Sequence, residues 1–465
     1  MGVSCRFKVE MRQSLLFAQL SGDYNPLHIS ELEARRTMFG MPVVHGISLV
    51  FQILEMAATQ RNSATQFSRL RCVFKRSLAV GEEAYCQLNL EYDGSFNGNI
   101  ISLENIEVAS LSGKLENGTD IEAFQFLKWP ATSPDVFNTA ELGLNGVEKL
   151  GFDKSLLTQC YPALSKFFSG RQIAVLLGIT RVVGMHCPGL HSVFSSFKLE
   201  NTSLGPSNQM SWWIKGLHSE FRLLSTSFEG GQIKGNVEAF LRPVPVIQPQ
   251  LNDLLNIAVP NRLMNRKVLI IGGSRGLGEV CAKLVSLEGG ESVIGYHQGA
   301  LEANELANNI TSFGLLASTL KVDVLSPNSV GVDHLQSVDA IIYCASPRIQ
   351  SNKGGFDVNA YGLFTDFFVS GMAAIIERAL GVKPLTFVMP STVFIDSPEI
   401  GFNAYAASKA AAETLGYALA FNEPLLSFSA PRLHRVLTDQ TNSILQVSTS
   451  DIKLAAATLV SSLTF

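Results

Sequence analysis

Lys267-Val-Leu-Ile-Ile-Gly-Gly-Ser-Arg-Gly-Leu-Gly278 is the stretch that divides this chain into two kinds of structure. Val268 to Ile271 form a short apolar run suited to a strand buried on both faces, and glycines follow at once. Beyond them Leu277, Val280, Leu284 and Val285 recur at helical spacing. Strand, glycine turn and helix in that order form a phosphate cradle. Small residues let the backbone approach a pyrophosphate, and the helix N-terminus faces its charge. Gly272, Ser274, Arg275, Gly276, Leu277 and Gly278 are the candidate contacts. Downstream, Ser292 to Gly295, Leu316 to Val322, Ala340 to Cys344, Leu385 to Met389 and Leu426 to Ala430 read as strands alternating with helices. That alternation predicts an α/β Rossmann domain with a doubly wound parallel sheet.

Tyr405-Ala-Ala-Ser-Lys409 opens an alanine-rich helix running toward Phe421. Residues at i and i+4 share a helix face, and an ammonium beside a phenol favours the phenolate. Such a tyrosine can protonate a carbonyl while a nicotinamide delivers hydride, and general acid help of this kind is worth ~10²–10⁴-fold. Alone, the pair reads better as a surface contact. With the glycine turn upstream, residues 266–465 resemble the short-chain dehydrogenase/reductase family. The resemblance implies that Gly272, Gly276 and Gly278 are its glycine run and that Tyr405 and Lys409 are its catalytic pair. It implies a carbonyl-orienting hydroxyl at Ser391, with Thr392 as the alternative, and a proton-relay asparagine at Asn359. Asp323 stands where the family contacts adenine, and Ala345 lies in Cys344-Ala345-Ser346, where the family has Asn-Ala-Gly. No acid falls between Gly295 and Ala300 to hold a ribose 2′-hydroxyl, and Arg275 favours a 2′-phosphate, so NADP(H) is the expected cofactor. The segment after Leu433 is short and the family's last strand is not recognisable, which predicts altered substrate closure and oligomer contacts.

Toward the N-terminus lies a second motif, Ser21 to Gly46, SGDYNPLHISELEARRTMFGMPVVHG. Asp23 and His28 sit close together in a Pro-bent loop and can reach one water molecule. Each residue taken singly fits an ordinary turn. Gly46 opens a helix carrying Ile47, Val50, Phe51, Leu54 and Ala58, so its N–H is free to face negative charge. The GDxNPxH order and the later FGxPVVHG resemble the MaoC-like, (R)-specific enoyl-CoA hydratase family, whose hot-dog fold wraps a sheet around one long helix. That resemblance implies that Asp23 and His28 handle water and that Gly46 N–H polarises a thioester carbonyl.

Strand-like segments at Leu70 to Lys75, Ala84 to Tyr92, Ile100 to Leu111 and Asp120 to Leu127 follow, and RCVFKRSLAVGE resembles a strand pair of the same family. Phe168 to Val183 is a second apolar helix, followed by a turn and strand over Gly184 to Glu200. Strands at Met210 to Lys215, Phe221 to Phe228 and Gln232 to Leu241 complete a motif-less copy. The expected organisation is an α+β double hot-dog followed by the Rossmann domain. It comprises residues 1–130 with the hydratase motif, 131–245 as structural partner, a linker over 246–265, and 266–465 binding NADP(H).

Composition limits the alternatives. Formal net charge is −4 with no basic stripe, so nucleic acid is not an expected partner. Seven scattered cysteines without a CxxC pair predict reduced thiols and no metal site, and His186 and His191 read as turn residues. No leader pattern and no run of about 18 apolar residues stand out, and Arg6 replaces the hydroxyl residue a myristoylation signal needs; a cytoplasmic protein without membrane contact is expected. Self-association into a homo-oligomer is left open. The combined expectation is a bifunctional enzyme. An NADPH-dependent 3-oxoacyl-thioester reductase would feed an (R)-3-hydroxyacyl-thioester dehydratase, with substrate on coenzyme A or acyl carrier protein. The alternatives are a hydratase with a degenerate reductase domain, or a carrier-protein docking subunit without turnover.

Overall fold

The computed structural model describes residues 2–118, 126–138, 142–202, 207–349, 351, 355–444 and 447–465. It divides into two units, Met1–Val244 with Ser443–Gln446, and Pro245–Asn442 with Val447–Phe465.

The first unit holds ten strands: β1 (Gly2–Lys8), β2 (Thr65–Phe74), β3 (Glu83–Leu90), β4 (Ser95–Ser102), β5 (Glu107–Asn117), β6 (Asn145–Lys149), β7 (Ser192–Asn201), β8 (Gln209–His218), β9 (Leu223–Gly230) and β10 (Ile233–Leu241). All pair antiparallel in the order β1-β3-β4-β5-β2-β7-β10-β9-β8-β6. Each half repeats one order (first, third, fourth, fifth, second strand), and the second strands β2 and β7 join the halves.

Helices α1 (Met11–Ser21) and α2 (Gly46–Arg61) lie in the first half and α3 (Gly170–Arg181) in the second. Buried residues surround α2, from Ile47 through Ala58, because sheet and helices cover it on more than one side. α3 is buried almost throughout and runs into a π-helical turn, Val182–His186. Inward strand positions alternate, as with Ala84, Cys86 and Leu88 on β3. On β2 a bulge between Phe67 and Arg69 shifts the phase, so that Phe67, Leu70 and Cys72 all reach the core.

The single strand expected over Ile100 to Leu111 is two, turning through Asn105 in a left-handed conformation (φ 60°). The strand expected over Asp120 to Leu127 lies mostly outside the described residues. The halves expected at 1–130 and 131–245 share one continuous sheet and fall within one compact unit.

The second unit carries a parallel sheet of β11 (Lys267–Ile271), β12 (Glu291–Tyr296), β13 (Ala317–Lys321), β14 (Ala340–Tyr343), β15 (Leu385–Val388) and β17 (Leu426–Ser429), in the order β13-β12-β11-β14-β15-β17. A two-stranded parallel pair, β16 (Ser391–Thr392) with β18 (Arg432–Leu433), stands apart. Helices α4 (Gly276–Leu287), α5 (Val358–Thr365) and α6 (Asn403–Asn422) bear on the site. Chain order reverses between β11 and β14. In open α/β sheets, ligands bind at such a point, beyond the strand C-termini.

The stretch 246–265 is not a free linker. Leu251, Leu254 and Leu263 are buried in the core with α4, and Lys283 Nζ donates to Pro249 O at 2.8 Å. The continuous helical stretch Val358–Ala379 is long and apolar enough to cross a membrane by length and composition, although Asn359, Thr365 and Asp366 interrupt its apolar residues. Its Phe364, Phe368, Met372, Ile375 and Ile376 pack in the core of this unit.

Candidate functional site

In the first unit, the motif folds by local rules. Gly22 ends α1 in the left-handed region (φ 73°), and a Cβ there would meet the Trp129 ring at 2.7 Å. Asn25 then caps a one-turn helix, Pro26–Ile29, by accepting from Leu27 N–H at 3.1 Å. Pro26 begins that turn and His28 falls in its last residues. Asp23, ahead of the cap, is buried.

His28 Nδ1 lies 2.7 Å from Val43 O, and His45 Nε2 lies 3.0 Å from Asp23 O. A carbonyl only accepts, so each of these nitrogens carries the proton. His28 Nε2 and His45 Nδ1 are left as bare lone pairs in the neutral rings. The Asp23 carboxylate accepts from Thr180 Oγ1 at 2.8 Å and from Asn25 N–H at 3.2 Å. Burial pushes the Asp23 carboxyl up, against the pull of His28, Thr180, Asn25 and Arg181. Burial likewise pushes His28 down, against Asp23 and the Val43 carbonyl. Burial thus works against charge on both groups.

Gly46 opens α2 with His45 as its N-cap, and among the described residues its N–H has no acceptor. Potential ligand atoms of Asp23, His28 and His45 lie within 4.8 Å of one another. The two imidazoles are stacked (centroids 3.9 Å apart, interplanar angle 27°).

The motif-less half completes this site, which reading the sequence missed. Thr180 comes from α3, and Gly184 from the π-helical turn lies against Asp23: a Cβ on Gly184 would be 2.2 Å from Asp23 Oδ1. Asn25 Nδ2 donates to Gly184 O at 2.9 Å and Gly189 O at 3.1 Å, tying the motif loop to the other half. Buried Arg181 donates to Glu148 at 2.6 Å and to the Ser21 carbonyl, and lies 3.5 Å from the Trp129 ring centroid. His186, read as a turn residue, lies 3.4 Å from Glu148 and 3.1 Å from Asp135; those carboxylates raise its pKa. Nothing in Thr180 to Gly184 marks these roles in sequence, since their partner is 157 residues away.

In the second unit, the glycine turn and the end of β14 meet at the switch point. Gly272 has φ 80°, and a Cβ on it would meet Ala345 N at 2.9 Å. A Cβ on Gly278 would be 2.3 Å from Gly272 O. This is a cradle that side chains would fill, at the start of α4. Arg275 is half-buried in the turn, and Ser274 is buried. His297 follows β12 and lies 3.7 Å from Asp323, whose carboxylate also accepts from Leu325 N–H at 3.0 Å.

Lys409 is buried on α6, donating to Pro390 O at 2.7 Å with Nζ 3.8 Å from the Phe368 ring centroid. Burial lowers its pKa to about 7. The Tyr405 ring packs edge-on against Phe364 and Phe368, at 5.6 and 5.9 Å, and burial raises its phenol. The expectation of a lowered phenol is thus reversed: burial dominates, and the ammonium faces a carbonyl and a ring.

Two of the expected positions have distinct surroundings. Asn359 stands exposed on the first turn of α5, while the residues of this helical stretch that meet Tyr405 are Phe364 and Phe368. Ser391 gives its proton to Glu413, which Arg432 clamps at 3.0 and 2.6 Å. Thr392 only accepts, from Phe394 N–H at 3.2 Å, and among the described residues keeps its proton to donate. The two hydroxyls thus differ in whether a proton is free to donate.

Residues 4–104 match the family model described as MaoC like domain. Similar solved structures include a short chain dehydrogenase from Burkholderia cenocepacia J2315 in complex with NADP, at 21% identity and TM-score 0.39, covering 43% of this chain and 91% of that one. The angucycline C-6 ketoreductase LanV with bound NADP is 18% identical with TM-score 0.39, covering 44% of this chain and 90% of its own. A 3-oxoacyl (acyl-carrier-protein) reductase from Agrobacterium tumefaciens C58 with NADP bound is 22% identical with TM-score 0.35, covering 38% and 73%. No curated protein matches.

Proposed function

We propose that the chain is a bifunctional acyl-thioester enzyme. Its first unit, a double hot-dog, interconverts trans-2-enoyl and (R)-3-hydroxyacyl thioesters, and its second reduces 3-oxoacyl thioesters with NADPH. The observation that carries the reading is the pairing of buried Asp23 with half-buried His28 beside the free N–H of Gly46.

In hydration, His28 Nε2 takes a proton from water as its oxygen bonds to the β-carbon. The π electrons move toward the thioester carbonyl, whose oxygen accepts from Gly46 N–H, and Asp23 gives its proton to the α-carbon. The pair ends as imidazolium and carboxylate, and one proton transfer between them restores it. Dehydration is the same sequence reversed. A preorganised oxyanion donor is worth ~10²–10³-fold.

In the second unit, Gly272, Gly276 and Gly278 with the α4 N-terminus would hold the cofactor's pyrophosphate, and Ala345 would line it. Arg275, with no acid after β12, suits the 2′-phosphate, and Asp323 the adenine. NADPH, when bound, supplies hydride to the carbonyl carbon. Tyr405 protonates the carbonyl oxygen, Thr392 orients it, and Lys409 supports the proton's replacement. The likeness of this unit to the NADP-bound reductases is of fold only; the cofactor and substrate are proposed on the residues above.

The test follows NADPH oxidation with a short 3-oxoacyl thioester and identifies products by mass. Wild type should yield enoyl thioester, Asp23→Asn should stop at the hydroxyacyl product, and Tyr405→Phe should leave NADPH unoxidised. A wild type that hydrates crotonyl thioester in an Asp23-dependent way but never oxidises NADPH sinks the reductase assignment alone. Neither reaction in wild type sinks both.

A further inference from the structure

His45 is an imidazole in the first site to which the mechanism gives no proton to carry, yet almost every part of it is engaged. Its carbonyl accepts from Ser48 N–H at 3.0 Å and Leu49 N–H at 3.4 Å, fixing the first turn of α2 around the free N–H of Gly46. Its Nε2–H donates to the Asp23 carbonyl at 3.0 Å. One face of its ring lies on His28, with centroids 3.9 Å apart, and Phe17 packs at 4.9 Å. Nδ1 alone is buried without a partner among the described residues.

An unpartnered buried polar atom is a cost that a phenyl ring in this apolar setting would avoid. The cost is offset only by what the opposite nitrogen and the ring face do. We infer that His45 is a positioning residue that holds Asp23, His28 and the Gly46 oxyanion donor as one set, an inference that rests on the hydratase reading of the first unit. The stacked ring fixes the plane of His28, whose Nδ1 is already pinned by Val43 O, so Nε2 has a single direction. The bond to Asp23 O fixes the backbone that aims the carboxyl. When His28 becomes imidazolium, a neutral ring on its face stabilises it, whereas a second cation would repel it. Burial and His28 hold His45 well below the ordinary histidine range, so it stays neutral.

The experiment uses the full chain and crotonyl-CoA. His45→Phe keeps a ring on His28 and loses the donor to Asp23; His45→Gln keeps a donor and loses the ring. Misplaced catalytic groups cost about 10²-fold, so kcat should fall about 10²-fold in His45→Phe and about 10-fold in His45→Gln, with KM within about threefold of wild type. Partial rescue by the variant that retains the donor is the readout that a merely structural role would not give. Both variants are compared at equal folded fraction from their thermal transitions; if His45→Phe does not fold, His45→Gln decides. Wild-type kcat in folded variants, or losses that vanish once corrected for folded fraction, overturns the inference and leaves the hydratase reading standing. A wild type that does not hydrate crotonyl-CoA removes the hydratase reading itself.

Discussion

The two halves of the ten-stranded sheet share one strand order and one central helix each, yet they meet the site in opposite ways. The first half brings functional groups: Asp23, His28 and Gly46 all precede or open α2. The second half brings surroundings: Thr180 and Gly184 leave from the far end of α3, and the backbone carbonyls of Gly184 and Gly189 hold Asn25. A repeat need not duplicate chemistry to contribute to it. Relieved of its own motif, the second copy can bury its helix completely and place a glycine where any side chain would displace the first copy's carboxylate.

This division of labour can be broken from either side. The largest effect should come from the first half: Asp23→Asn should lower hydration of crotonyl thioester about 10³-fold while NADPH oxidation persists. From the second half, Gly184→Ala should cost about 10²-fold in kcat, because the new Cβ needs the space Asp23 Oδ1 occupies. Wild-type turnover in a folded Gly184→Ala protein would show that Asp23 is free to move. In the reductase, Thr392→Ala should lower NADPH oxidation about 10²-fold and Ser391→Ala much less, since Ser391 already serves Glu413. Equal losses would return the role to Ser391.

Smaller effects sharpen the picture. Thr180→Val removes one hydrogen bond to the Asp23 carboxylate and should cost about 10-fold in kcat. Hydration needs a neutral His28, whose pKa burial lowers, and a protonated Asp23, whose pKa burial raises, so activity should fall as pH drops through the His28 value, below 6.5, and again as pH rises through that of Asp23, above 3.8. An acid limb above 6.5 in the pH–rate profile would mean that His28 is not buried as described. For the reduction proposed in the second unit, a basic limb follows from Lys409. Lys409 holds its proton below about 7, and reduction limited by its ammonium should fall as pH rises through that value.

Much of the first unit's candidate site could be read from residues 21–46, because its rules are local: a left-handed glycine, an asparagine cap, a proline at the first helical position and a glycine opening a helix. The parallel order of the second unit was legible for a similar reason, since alternation of strand and helix admits few topologies. Asn359 and Ser391 rest on the family resemblance, and a resemblance does not say which face of a helix or strand looks inward. In the structure Phe364 packs on Tyr405, and Glu413 takes the Ser391 proton. Expected strands merged over Ile100 to Leu111 because the turn at Asn105 lacks the glycine or proline that usually marks one.

By itself the sequence determined the two fold classes, the position of the phosphate cradle, and the residues of the Asp23–His28 pair. Each of these rests on spacings of a few residues, which backbone geometry converts directly into shared faces and capped turns. Only the tertiary structure decided that Thr180 and Gly184 shape Asp23, that His45 joins three functional groups, and that Thr392 keeps its proton while Ser391 does not. Those are contacts between segments far apart in the chain, and burial there sets both the protonation of a carboxyl and the room around it.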